Sequence, residues 1–232
     1  MKYFGNGLSE LHKELNAVIR NPYKLAVAKQ LFFELHTKLH LSSIMGTEHN
    51  EVDSLLNDLT VDEYKIMPTA KDETIAWVLW HIARIEDLTI GILVAERGQL
   101  FNNEWKRQLN TPITDTGNAL SDDEIMELSS QLNIEELIAY RNAVGQRTHE
   151  IIASLSADDI KRKVSTHGLE TIKQVGGVTD HENSIWLLDF WSKKDVAGLL
   201  LMPPTRHVML HLNDCCKWKL HIRKNRKCFR RV

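Results

Sequence analysis

The sequence predicts an all-α protein: a bundle of four main helices with shorter helical decorations. Three observations carry this. Apolar residues recur at spacings of three and four rather than two, which is the helical period. Glycine and proline, which punctuate turns, number only eleven and five in 232 residues. Two periodic segments open on capping-box spacing, Ser121 with Glu124 and Asn133 with Glu136. No internal repeat and no low-complexity block interrupts the pattern.

The elements follow in order. A short helix spans Leu8 to Arg20, and Asn21-Pro22 breaks it. Pro22 can open the next helix, because proline fits a first turn. That helix carries Ala28, Leu31, Phe32, Leu35 and Leu39 on one side and runs toward Leu59, bent or interrupted near Gly46. Thr60 to Lys71 is a connection containing Pro68. The second main helix runs from Thr74 to Arg97 and ends at Gly98, a suitable C-terminal glycine. Polar linker follows from Gln99 to Gln131, with a short helix at Ser121 to Ser130. The third main helix starts at Asn133 and carries Ile134, Leu137, Ile138, Val144, Thr148, Ile151, Ile152 and Leu155 at helical spacing. Ser156 to Pro204 is too long for a plain loop, and WLLDFW and VAGLLLM within it read as short helices. The fourth main helix runs from near Pro204 to near Arg223. The chain thus divides into an N-terminal helical extension (1–24), a bundle (25–222, with an insert at 156–204) and a basic tail (223–232) expected to fray.

Composition bounds the function. Hydrophobic residues make up 43% and charged residues 26%, ordinary for a chain with a real core. A formal net charge of -2 gives no global pull toward nucleic acid or anionic membrane. The cysteines, Cys215, Cys216 and Cys228, are odd in number and suggest no disulfide framework, so a cytoplasmic, reducing location is expected. The N-terminus MKYFGNGLSELHKEL lacks the apolar core of a signal peptide. No stretch approaches the ~18 apolar residues of a membrane span.

The unusual count is eleven histidines. On a wheel of about 100° per residue, His81 lies in the middle of a stripe formed by Trp77, Val78, Ile85, Leu88 and Ile92, with Asp87 well away. It is either a core histidine bonded to a carbonyl or side chain, or a ligand. His207 and His211, in TRHVMLHLND, are four apart and point the same way on a helix, so two imidazoles can reach one ion at roughly 2.0–2.1 Å. A histidine from a facing helix would complete a three-nitrogen site with open positions. A second pair, His36 and His40 in HTKLH, has the same spacing and reads as two partly solvated histidines at the edge of an apolar stripe. In the fourth helix Val208, Leu212, Cys216 and Leu220 form the apolar side. His207 and His211 share another side with Asp214 and Trp218, which faces either water or a cavity between helices.

A helix with an inward histidine, followed much later by His-x-x-x-His on the last helix, resembles the DinB/YfiT-like superfamily. The matching pieces are TIAWVLWHIARIED, with His81, and MPPTRHVMLHLNDC, with His207 and His211, preceded by LLNDLTVDEYKIMP. The resemblance covers about Leu25 to Arg223. It implies a four-helix bundle in which His81, His207 and His211 ligate one divalent transition metal ion, nickel or zinc. It also implies a metal-dependent transferase in which a low-molecular-weight thiol attacks an electrophilic small molecule, or a related hydrolase or isomerase. The alternative is a non-catalytic metal-containing stress or interaction module, which a fourth protein ligand such as Cys215 would favour. A homodimer is a further expectation.

Other residues have plainer readings. Cys215 offers a thiolate four residues after His211, but a helical cysteine is by default small apolar filler. Asp214 offers an acceptor to a ligand imidazole. Trp77, Trp80, Trp186, Trp191 and Trp218 line a pocket or fill the core, and WLLDFW is the lid candidate. No Gly-rich phosphate loop, Cys-x-x-Cys pair or serine nucleophile motif occurs.

Overall fold

The computed structural model describes residues 4–229. The first helix, α1 (Leu8–Val18), buries Leu8 and Leu15. The Asn21 side chain accepts from the Tyr23 amide and caps a 3-10 turn at Pro22–Lys24. That turn launches α2 (Leu25–Thr37), which buries Ala28, Phe32, Leu35 and His36. The expected continuation toward Leu59 does not form. Short helices at Ser42–Met45 and Glu51–Leu56 replace it, divided by Gly46 at φ 65°. Asn50 and Asp53 form a capping box, so side chains here start a new helix rather than extend the old one. The presumed connection contains a helix too, Val61–Lys65, boxed by Thr60 and Glu63.

The central helix, α3 (Ile75–Leu88), is capped by Thr74, whose side chain accepts from the Trp77 amide. All its residues are buried, Arg84, Glu86 and Asp87 included, so the amphipathic reading of this helix is corrected. Asp87 tolerates burial because Arg84, the Tyr140 hydroxyl and the Leu100 and Phe101 amides all donate to it. Beyond Leu88 the helix widens into a π-helical turn, Thr89–Val94. The left-handed residue that ends it is Glu96, at φ 52°, not Gly98. The Arg97 amide closes the turn on the Gly91 carbonyl. A Cβ at Gly91 would sit 2.9 Å from the Gly98 carbonyl oxygen, so glycine permits that close return.

The linker holds an unanticipated helix, Asn103–Gln108, and the expected one at Asp122–Gln131 with its Ser121–Glu124 box. Next comes α4 (Ile134–Ser154), capped by Asn133 alone, which accepts from the Glu135 and Glu136 amides. The region 156–204 is helical almost throughout. It contains Ala157–Lys161, Thr166–Gln174, α5 (Glu182–Ser192, holding WLLDFW) and Val196–Leu200. Then Met202–His207 forms a second π-helical turn, with proline at its start, and leads into α6 (Val208–Lys224). Among the described residues no strand forms, only a single antiparallel bridge between Lys163 and Asp195.

Helix α3 packs against α4, α6 and the turn Met202–His207, while α2 packs on α1, α4 and that same turn. The N-terminal segment shares this core: Leu8, Leu15 and Ile19 belong to it. Burying a leucine such as Leu15 contributes about 1.5–3 kcal/mol. His12 also bonds to the Leu201 carbonyl, and Arg20 pairs bidentately with Asp195. The tail is helical as far as it is described. Arg223 lies in α6 and donates to Asp58 and Glu63, and Arg226–Phe229 adds a last helical turn. The fourth helix ends near Arg223 as expected, and the tail adds a helical turn before the described residues end at Phe229; Arg230 and Arg231 lie outside them. Among the described residues, no helix is long and apolar enough to cross a membrane.

Candidate metal centre

Three elements bring His81, His207 and His211 together. His81 projects from mid-α3, His207 ends the π-helical turn and His211 lies in the first turn of α6. The Nε2 atoms of His81 and His211 each lie 3.1 Å from His207 Nε2. Two nitrogens bound about 2.1 Å from one ion stand roughly 3.0–3.4 Å apart, so the spacing suits a shared cation. His81 Nδ1 lies 2.9 Å from the Thr116 carbonyl oxygen and must donate to it. Its Nε2 therefore presents a lone pair to the cluster. A single hydrogen on His207 Nε2 can satisfy only one of the two neighbours it faces. A cation satisfies all three, and the donor set fits one.

Burial, and then the neighbouring His211, pushes the His81 pKa down to about 3. Burial and the other two imidazoles hold His207 well below its ordinary value, and burial lowers His211. All three are neutral at physiological pH, the state a metal requires.

The orientation of His81 rests on a loop that the sequence reading left as polar linker. Successive side chains of one α3 face satisfy its carbonyls in turn. Trp77 Nε1 donates to Gly117, His81 to Thr116, Trp80 Nε1 to Asp115, and Arg84 Nε and Nη2 to Thr114. Gly117 adopts φ +76°, and a Cβ there would lie 2.8 Å from Trp77 Nε1, so both backbone and packing demand glycine. Trp77 stacks on the His81 ring, with centroids 4.6 Å apart and planes 9° apart.

The three histidines border a cavity of about 480 Å³, walled also by Asp72, Glu73, Trp77, Asn118 and Trp186. On the polar side of the last main helix His207 and His211 thus face a cavity, while the Asp214 side chain is partly exposed to solvent. Glu73 went unremarked in the sequence. Burial, reinforced by Asp72, Asp214 and Asp122, raises its carboxyl pKa. Trp186, from WLLDFW, is 48% exposed at the cavity mouth, where a lid would sit. Trp80 and Trp191 are core, and Trp218 donates to Asp72 beside the cavity. Asp214 pairs with Lys217 and makes no hydrogen bond to a ligand imidazole. Cys215 is fully buried, and burial drives its thiol pKa well up; it belongs to neither cluster of potential ligands.

His36 and His40 are not partly solvated. Both are buried, at 0% and 1% exposure, and they group with Glu86. A carboxylate on an apparently one-sided helix left no signal that a second histidine pair would find it indoors.

A helical bundle with a three-histidine pocket between α3 and the start of α6 defines the class. Residues 46–184 match the family model of the DinB superfamily, and the chain belongs to that superfamily. The match contains His81 and runs into the segment set aside as an insert, and it stops short of His207 and His211. No curated protein matches the chain.

Proposed function

We propose that the protein is a metal-dependent transferase that holds one divalent ion, zinc or nickel, on His81, His207 and His211 and joins a low-molecular-weight thiol to an electrophilic small molecule. The observation that carries this reading is the convergence of three neutral imidazoles on an open cavity that, among the described residues, no cysteine lines. When bound, such an ion supplies Lewis acidity that lowers the pKa of a thiol into the neutral range. The chain's own residues do the rest. The Thr116 carbonyl holds the His81 tautomer. Trp77 covers one face of that ring and excludes water from it. Glu73, on the same cavity wall with its carboxyl pKa raised, is placed to accept the thiol proton. The electrophile then takes the sulfur electron pair, and its leaving group departs with its own. Cys215 plays no part, and the free cysteines fit a reducing cytoplasm.

The test assays zinc- or nickel-loaded protein for conjugation of glutathione, cysteine or coenzyme A to monochlorobimane. Activity is expected to need added thiol, to vanish in His81→Ala along with the metal, and to survive Cys215→Ser. Turnover without thiol, or its loss in Cys215→Ser with metal retained, overturns the scheme. Inactivity with every thiol transfers weight to a non-catalytic metal module.

A further inference from the structure

We propose that His36, His40 and Glu86 form a second, buried site for a divalent transition-metal ion. One ligand atom from each lies within 4.8 Å of the others. His36 Nε2 is 2.8 Å from Glu86 Oε1, and His40 Nε2 is 3.8 Å from Glu86 Oε2. Thr148 Oγ1 donates to the same carboxylate at 2.7 Å and fixes its orientation. Three buried nitrogens there, His36 Nδ1 and both ring nitrogens of His40, have no hydrogen-bond partner in the protein. Buried polar atoms are almost always satisfied, and a phenylalanine would fill the His40 space without such orphans. A cation beside Glu86 answers one of them, the His40 Nε2 that faces the carboxylate.

The surroundings are shaped to hold that ring. A Cβ on Gly145 of α4 would fall 2.5 Å from His40 Cε1, so α4 is notched where the imidazole lies. His149, one turn further along α4, brings another ring to 5.0 Å from His36, with an unpartnered Nε2 of its own. The Arg141 guanidinium donates to the Leu39 carbonyl, and the Glu86 carboxylate offsets an incoming charge. Two imidazoles and a carboxylate suit zinc, iron or manganese rather than calcium, which takes oxygen ligands. The position is separate from the three-histidine centre: Glu86 follows His81 by five residues, about 140° round α3. Full enclosure leaves no room for a substrate, so the ion ties α2 to α3, with the notch and Thr148 of α4 closing over it. Exchange then requires the helices to part.

The experiment measures metal per chain in full-length protein produced with added zinc. Wild type is expected to hold two equivalents, one lost quickly to chelator and one slowly. His207→Ala/His211→Ala is expected to keep the slow one, and adding Glu86→Gln to remove it. A single equivalent in wild type that disappears in His207→Ala/His211→Ala overturns the proposal, as does a slow equivalent indifferent to Glu86→Gln. If Glu86→Gln fails to fold, anomalous diffraction at the zinc edge from His207→Ala/His211→Ala crystals decides. A peak among His36, His40 and Glu86 supports the site; no peak there overturns it. Because different variants remove the two equivalents, failure of either centre is read separately.

Discussion

Two histidine clusters flank α3, and they solve opposite problems. His81, His207 and His211 meet at a cavity, with one orienting carbonyl behind His81 and their Nε2 atoms facing one another. His36 and His40 are sealed among α2, α3 and α4, where the Glu86 carboxylate, held by the Thr148 hydroxyl, bonds His36 Nε2 and leaves His36 Nδ1 and both His40 nitrogens without partners. The difference teaches that the same i, i+4 histidine spacing serves reactivity when it ends at a void. It serves cohesion when it ends at a buried acid. Helix α3 contributes one residue to each, which is why it is buried all round.

The largest expected effect breaks the closed cluster. Glu86→Ala leaves His36 and Thr148 facing an uncompensated gap, and removing one partner of a buried pair costs about 3–5 kcal/mol. Thermal unfolding should show Tm falling by on the order of 10 °C for a chain of this size. A fall of only a degree or two would mean that the carboxylate does not organise this region.

Gly117→Ala attacks the open cluster from behind. It forces alanine into a left-handed conformation and pushes on Trp77, for a cost of about 1–3 kcal/mol. Disturbing the carbonyl that orients a ligand typically weakens metal affinity about 10–100-fold. Competitive chelation should therefore show weaker binding at the cavity and unchanged slow release from the closed site. Equal loss at both would erase the distinction between them.

Acid should loosen metal-free protein through both clusters. His81 and His40 titrate near 3 in the native state, chiefly because burial penalises their charged forms, against 6.5 unfolded. The unfolded chain therefore binds more protons between these values, and stability declines as pH drops from about 6.5 toward 3. Glu86, held well below 4.5 chiefly by His36 against the cost of its burial, adds to the loss under acid. Urea titrations across this range should show the slope, reduced in His40→Phe; a flat profile contradicts neutral burial.

The smallest effect belongs to a region outside both clusters. Arg223 joins α6 to Asp58 and Glu63, and with Lys219 it holds the Asp58 carboxyl at about 2. These groups are partly solvent-screened, so Arg223→Ala should cost about 1 kcal/mol or less, a Tm shift of roughly 2–4 °C. Metal content should stay at the wild-type value, making this variant the control for the others.

Much of the helix pattern was legible because caps and periodicity are local. Thr74, Ser121 and Asn133 start the helices their side chains announce, and Asn21-Pro22 breaks the chain where expected. The limits of α2 and α3 were less legible. Asn50 and Asp53, and the turn of Arg97 back onto Gly91, override a continuing apolar pattern through hydrogen bonds that periodicity does not register. His207 and His211 were visible as a pair and His81 as an inward histidine, and the family resemblance made His81 the third ligand.

By itself the sequence determined that the chain is helical, where most of its main helices begin, and which histidines stand four residues apart. Only the tertiary structure decided what each face meets. His36/His40 and His207/His211 have the same spacing, yet one pair closes on Glu86 beneath Gly145 and the other opens on a cavity beside His81. The reason is that helical period is a property of neighbours in the chain. The partner of each pair stands 46 or more residues away, and the packing of α3 against α2, α4 and α6 selects it.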